Sequence, residues 1–87
     1  MAERTVTLLN DEGLHARPAG VFVKQASQFK STVEIRVDGV SKNAKSIMNL
    51  MGMGLEKGAQ MTIVAKGEDE AQAVDALSKL VENKFAV

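Results

Sequence analysis

The chain is 87 residues long, 45% hydrophobic and 25% charged, and its eleven Lys and Arg are balanced by eleven Asp and Glu. Balanced charge, and three Phe with no Trp or Tyr, weigh against a nucleic-acid binder that depends on bulk electrostatics or base stacking. The absence of Cys and the single His rule out disulfides, thiolate or multi-His metal sites and a Cys nucleophile.

One domain over residues 1–87 is expected, because so short a chain cannot build two cores. Neither a cofactor nor a metal is expected. The opening MAERTVTLLN does not have the form of a secretory signal. No apolar run approaches the roughly 20 residues of a membrane helix. The expectation is a cytoplasmic protein without membrane or direct nucleic-acid contact.

Thr5 to Leu9 is β-branched and apolar and reads as a strand. Asn10 to Gly13 then form a turn. From Ala16 to Phe29 the period is helical, with Ala19, Phe22, Val23, Ala26 and Phe29 on one face. Pro18 falls in the first turn, where a missing N–H is harmless. Gly20 is unfavourable inside a helix by about 1 kcal/mol and marks a place where something packs closely. Val33, Ile35 and Val37 alternate with Glu34 and Arg36, as in a half-buried strand. Asp38-Gly39 is a strong hairpin signal, and Val40 to Ala44 reads as a polar edge strand. Ser46 precedes a short helix, Ile47 to Met51, that Gly52 and Gly54 bring to an end. Gly58 makes another turn. Gln60 to Lys66 is a strand with Met61, Ile63 and Ala65 on one face. A last helix opens with Glu68, Asp69 and Glu70, acids suited to a helix N-terminus. It runs to about Asn83, with Ala73, Val74, Leu77, Leu80 and Val81 as its buried stripe.

The order β-α-β-β-α-β-α with alternating strands implies an α+β fold. It is a two-layer, open-faced sandwich, a four-stranded antiparallel sheet covered on one face by helices. The first strand, helix and second strand would form a split, right-handed crossover.

Gly13-Leu14-His15-Ala16-Arg17-Pro18-Ala19 carries the most chemistry. His15 sits at a helix start, where backbone N–H groups lack intrahelical partners and the dipole favours anions. The N–H groups of Ala16 and Arg17 would help cradle a phosphate, and Arg17 adds a planar donor fork suited to phosphate oxygens. These are the parts needed to hold a phosphoryl group on a histidine nitrogen. The plainer alternative is that His15 caps the helix and Arg17 is a solvated charge. The arrangement points to anion chemistry without choosing phosphoryl transfer over anion binding. No second base accompanies His15, since Asp11 and Glu12 lie across Gly13, so no complete enzyme site is visible.

Ser46 is a good N-cap for the short helix. It would also suit phosphorylation, because added phosphate would sit at a helix N-terminus. Met48 and Met51, spaced by three, form either an exposed ridge that accepts partners or filling for an irregular core.

With these two motifs on this order of elements, the whole chain resembles the histidine-containing phosphocarrier (HPr) family of the bacterial phosphoenolpyruvate–sugar phosphotransferase system. The resemblance rests on Gly13 to Ala19 and on Lys45-Ser46-Ile47-Met48. It implies that His15 accepts a phosphoryl group on Nδ1 from phosphorylated enzyme I. His15 would then pass it to the IIA domains of sugar transporters, assisted by Arg17. It implies that Ser46 is a regulatory site for an HPr kinase/phosphorylase, linked through a catabolite-control transcription factor to carbon catabolite repression. Gly20, Lys24, Ile47, Met48 and Met51, with Arg17, would form the docking face of a monomer. Gly20, Ser27 and Asn49 depart from residues common in the family and bear on partner affinity. Two other readings are a regulatory module of the same fold and an independent enzyme using His15. An intact His15 beside Ser46 favours the carrier over a regulator lacking the histidine. The missing base weighs against the enzyme.

Overall fold

The computed structural model describes residues 1–86. In chain order the elements are β1 (Ala2–Thr7), α1 (Ala16–Ala26), β2 (Thr32–Val37), β3 (Val40–Asn43), α2 (Ile47–Gly52), β4 (Gln60–Lys66) and α3 (Glu70–Glu82). The four strands form one antiparallel sheet in the order β1-β4-β2-β3. β4 therefore separates β1 from β2, the split arrangement expected. The alternating pattern buries Val33, Ile35, Met61, Ile63 and Ala65, which join Phe22, Ala26, Val74, Leu77 and Val81 from α1 and α3 in the core. The other sheet face carries polar cross-strand pairs: Thr5 with Thr62 at 2.9 Å, and Glu3 with Arg36 at 3.0 Å. Val64, also on that second face, is buried among them.

Several element ends differ from the sequence expectation, each because of a partner distant in the chain. β1 runs from Ala2 to Thr7 instead of Thr5 to Leu9. Its register on β4 ends at Thr7 opposite Gln60. Leu8 then leaves the ladder to exchange hydrogen bonds with the following loop, donating to the Ala59 carbonyl and accepting from the Gly58 N–H. Leu8 is buried and Leu9 exposed. α1 stops at Ala26, not Phe29, and Ser27 caps it by donating to the Val23 carbonyl. Phe29 packs partly buried against the core from a tight turn. β3 ends at Asn43, and Ala44 turns into the core while donating to the Val33 carbonyl. All four β3 residues are exposed, as an edge strand requires. Asp38 and Gly39 both have positive φ, 51° and 80°, the conformation of a two-residue hairpin turn that matches strand twist. α2 extends through Gly52, so the helix stops at Met53 and Gly54.

α3 begins at Glu70 and ends at Glu82, later than Glu68 and one residue short of Asn83. The acids at its start do more than face the helix dipole. Asp69 makes no side-chain cap of its own helix. Its carboxylate instead accepts from the N–H groups of Lys30 and Ser31, at 2.8 and 2.9 Å, and from the Ser31 hydroxyl. That clasp fixes the turn entering β2 against the start of α3. The Ser31 hydroxyl, followed by the Lys30 N–H, holds the Asp69 carboxyl down to about 2 from its ordinary 3.8. A depressed folded-state value means the clasp stabilises fully above the ordinary carboxylate range and is lost as pH falls through about 2. Asp69→Asn is therefore expected to be less stable than wild type at pH 7 in urea denaturation. The difference should close between about pH 4 and pH 2.

Candidate functional site

The site is built where two loops meet. Gly13 has φ +68°, and a Cβ there would collide with the Leu55 carbonyl and lie 2.8 Å from the Glu56 Cα. Only glycine permits both that conformation and that approach. The contact is fixed by hydrogen bonds. Leu14 donates to the Leu55 carbonyl at 2.9 Å, and the buried Asn10 side chain donates to the Gly13 carbonyl at 2.8 Å. Leu14 is fully buried, so the residue after it is held firmly at the surface.

That residue is His15, the N-cap of α1, with extended backbone and no side-chain hydrogen bond to the helix. His15 thus occupies the cap position without a side-chain cap bond, and the ring is left half-exposed and unengaged by the helix backbone. Ala16, the first helical residue, has φ +47°. A non-glycine residue in this region costs on the order of 1–2 kcal/mol, a strain placed directly beside the ring. Ala16 and Arg17 contribute N–H groups to the first turn, where no intrahelical acceptor precedes them, and Pro18 has none to contribute.

Two neighbours of the motif were not legible in it. The His15 Nε2 lies 3.7 Å from Glu56 Oε1, so an acid does accompany the histidine, contrary to expectation. The nearer acids in sequence are engaged elsewhere. Asp11 pairs with Lys57 at 3.0 Å, which lowers its carboxyl pKa, and Glu12 accepts from Asn10. The second neighbour concerns Arg17. Both of its terminal nitrogens donate to the Phe85 carbonyl at 3.3 Å. The fork expected to receive phosphate thus rests on the C-terminal turn, where Phe85 is fully buried and Lys84 and Phe85 both have positive φ.

Ser46 caps α2, its hydroxyl accepting from the Asn49 N–H at 3.3 Å. The cap half of the sequence reading therefore holds. Lys45 ties this corner to the turn after α1 by donating to the Phe29 carbonyl at 2.8 Å. Of the apolar residues in α2, only Leu50 is buried. Ile47 (41%), Met48 (78%) and Met51 (40%) remain exposed, which decides for a surface ridge and against core filling. Gly20 on α1 faces this ridge, and a Cβ there would stand 3.6 Å from Ile47 Cδ1. Lys24 is exposed on the same helix, where Val21, Lys24, Gln25 and Gln28 line a shallow groove. Ser27 is exposed at the C-cap, and Asn49 is exposed on α2.

Comparison with known proteins agrees with this geometry. A family profile described as the PTS HPr component phosphorylation site matches residues 2–83. The chain belongs to the HPr family. It is similar to the phosphocarrier protein HPr of Treponema pallidum, 42% identical over 85 residues that cover 98% of this chain and 97% of that one. A crystal structure of HPr from Thermoanaerobacter tengcongensis superposes with a TM-score of 0.95 at 45% identity, covering 98% and 96% of the two chains. A crystal structure of Crh from Bacillus subtilis, described as a domain-swapped dimer, is 39% identical over the whole of both chains with a TM-score of 0.78. Like its HPr relatives, the protein is a phosphocarrier of the phosphotransferase system and not an enzyme in its own right.

The spacing around Gly20 gives a direct expectation. The close approach anticipated there leaves room for a methyl group in ordinary contact with Ile47. Gly20→Ala should therefore stabilise the protein by about 0.5–1 kcal/mol, read as a raised denaturation midpoint.

Proposed function

We propose that His15 is the residue that carries the phosphoryl group, receiving it on Nδ1 from phosphorylated enzyme I and passing it to IIA domains of sugar transporters. The observation that carries this reading is the N-cap position of His15, with its ring unbonded to the helix it precedes. A phosphoryl group on that ring lies next to the free N–H groups of Ala16 and Arg17 and the positive end of the dipole. Arg17 then exchanges the Phe85 carbonyl for phosphate oxygens, since an anionic acceptor outcompetes a neutral carbonyl for the guanidinium. The exposed ridge of Ile47, Met48 and Met51, with Gly20 and Lys24 on α1, is the face on which both partners dock. The protein acts in the cytoplasm as a single HPr-like unit.

Ser46 is the regulatory site in this reading. An HPr kinase/phosphorylase adds phosphate to the hydroxyl that now caps α2, and the seryl-phosphorylated protein meets a catabolite-control transcription factor. The phosphate's charge of about −1.5 to −2 is favourable for α2 itself but falls beside the apolar ridge, where it weakens docking. The likeness to Crh supports a second reading, a regulator that works through Ser46 alone. His15 is the residue that separates the two.

Incubation with phosphoenolpyruvate, Mg²⁺ and enzyme I is expected to give one acid-labile phosphate. His15→Ala should abolish it without lowering the melting temperature. Arg17→Ala should slow transfer by about tenfold or more, the scale set by losing a charge-assisted contact to phosphate. Phosphate on another residue would overturn the assignment to His15. No phosphate on wild type would favour the regulator.

Serine variants test the second half. Ser46→Ala removes the cap and should lower stability by about 1 kcal/mol. Ser46→Asp should keep the melting temperature level or raise it, while raising the apparent KM for enzyme I in a manner partly relieved by salt. Equal KM values would remove the electrostatic switch.

A further inference from the structure

The acid beside His15 is held there by backbone and not by its own side chain. Glu56 is largely exposed, 77% at the side chain, and by itself such a residue would be free to point anywhere. Its Cα, however, is locked against Gly13, and the loop that carries it is fastened at both ends. Leu55 accepts from Leu14, and Gly58 and Ala59 exchange hydrogen bonds with Leu8. Glu56 and His15 thus sit on two loops with a shared, nearly rigid seam. Among the described residues, Glu56 is the acid within 4.0 Å of a His15 ring nitrogen. Lys57, next in the chain, is occupied by Asp11.

The nitrogen it faces matters. A neutral imidazole carries one proton, and the nitrogen that bears it is set by the partner of that nitrogen. A carboxylate can accept a hydrogen bond but cannot donate one. From these facts we infer that Glu56 is a positioning residue for phosphoryl transfer: it holds the ring proton on Nε2 and so presents the Nδ1 lone pair to phosphorus. The inference rests on the assignment of His15 as phosphoryl acceptor. The separation of 3.7 Å is just beyond hydrogen-bond length, within the range that such contacts in unliganded sites close on forming a complex.

The step balances without a further reagent. The Nδ1 lone pair forms the new N–P bond while the donor's bond to the same phosphorus breaks, its electron pair returning to the donor. The proton stays on Nε2, so the phosphorylated ring bears a positive charge that the Glu56 carboxylate faces. In onward transfer the N–P electrons return to Nδ1, and the ring is again neutral with its proton on Nε2. Glu56 therefore supports both directions, as expected for a carrier that must receive and release with equal ease. The arrangement parallels the base-and-orienting-acid logic of catalytic triads, with the histidine here as nucleophile.

The test is ¹⁵N NMR of the unphosphorylated His15 ring at pH 9, above the ordinary imidazole range, in wild type, Glu56→Ala and Glu56→Gln. The wild-type ring is expected to hold its proton mainly on Nε2. Glu56→Ala should shift the tautomer ratio toward Nδ1–H by about three- to fivefold, the scale of an exposed charge contact. Transfer from enzyme I should slow by a similar factor in kcat, with KM unchanged. Glu56→Gln, which keeps an acceptor oxygen but not the charge, should fall between. An identical tautomer ratio in all three proteins overturns the inference. So does a KM effect without a tautomer shift, which would make Glu56 a docking residue only. Absence of phosphate on wild-type His15 would sink the acceptor assignment, whereas the NMR ratio would still report on Glu56 separately.

Discussion

The approach of the backbone at Gly13 to that at Leu55 and Glu56 is the constraint on which the site depends. A side chain of any size at residue 13 would push the two loops apart. With hydrogen at that position, Leu14 reaches the Leu55 carbonyl and buries its side chain completely. The chain then has to surface at His15 and enter α1 through a strained Ala16. The half-exposed ring, the helix-start N–H groups and the opposing carboxylate are consequences of one close contact between segments about forty residues apart.

α2 shows how much a short element can do when only a narrow stripe of it is buried. Six residues give one inward position, filled by Leu50. Ser46 and Lys45 anchor the helix through hydrogen bonds rather than burial. The remaining apolar side chains are thereby free to face solvent, the Met pair with unbranched, flexible side chains. A longer helix would have needed a wider apolar stripe turned inward, at the expense of that ridge.

Local chemistry made the elements legible and long-range pairing set their ends. The alternation of Val33, Ile35 and Val37, the Asp38-Gly39 turn and the helical stripe of α3 are properties of neighbouring residues, so the sequence displays them directly. Where β1 and α1 stop depends on Ala59 catching Leu8 and on Asp69 clasping residues 30 and 31, partners no local window contains. The same division runs through the site. His15, Arg17 and Ser46 stand out because cap chemistry and charge lie within a few positions of one another. Glu56 and the Phe85 carbonyl do not, because their relation to His15 and Arg17 exists only once both loops and the C-terminal turn are in place. The exposure of Ile47 needed the structure too, since six apolar-rich residues can be rotated about their axis without changing their pattern.

The strand order has a consequence for how the molecule comes into being. β1 and β2 both pair with β4, which is the last strand in the sequence. During synthesis only the β2–β3 hairpin can close early, while the first strand waits with its ladder groups unpaired. At about 5–20 residues per second, that wait lasts several seconds. Its outward residues, Glu3 and Thr5, are polar and offer little to a passing hydrophobic surface. Closure of the sheet is then a late event of high contact order, completed when Lys66 has been made. The seam at Gly13 likewise waits for Leu55 and Glu56, so a nascent chain has its histidine long before it has the loop that faces it.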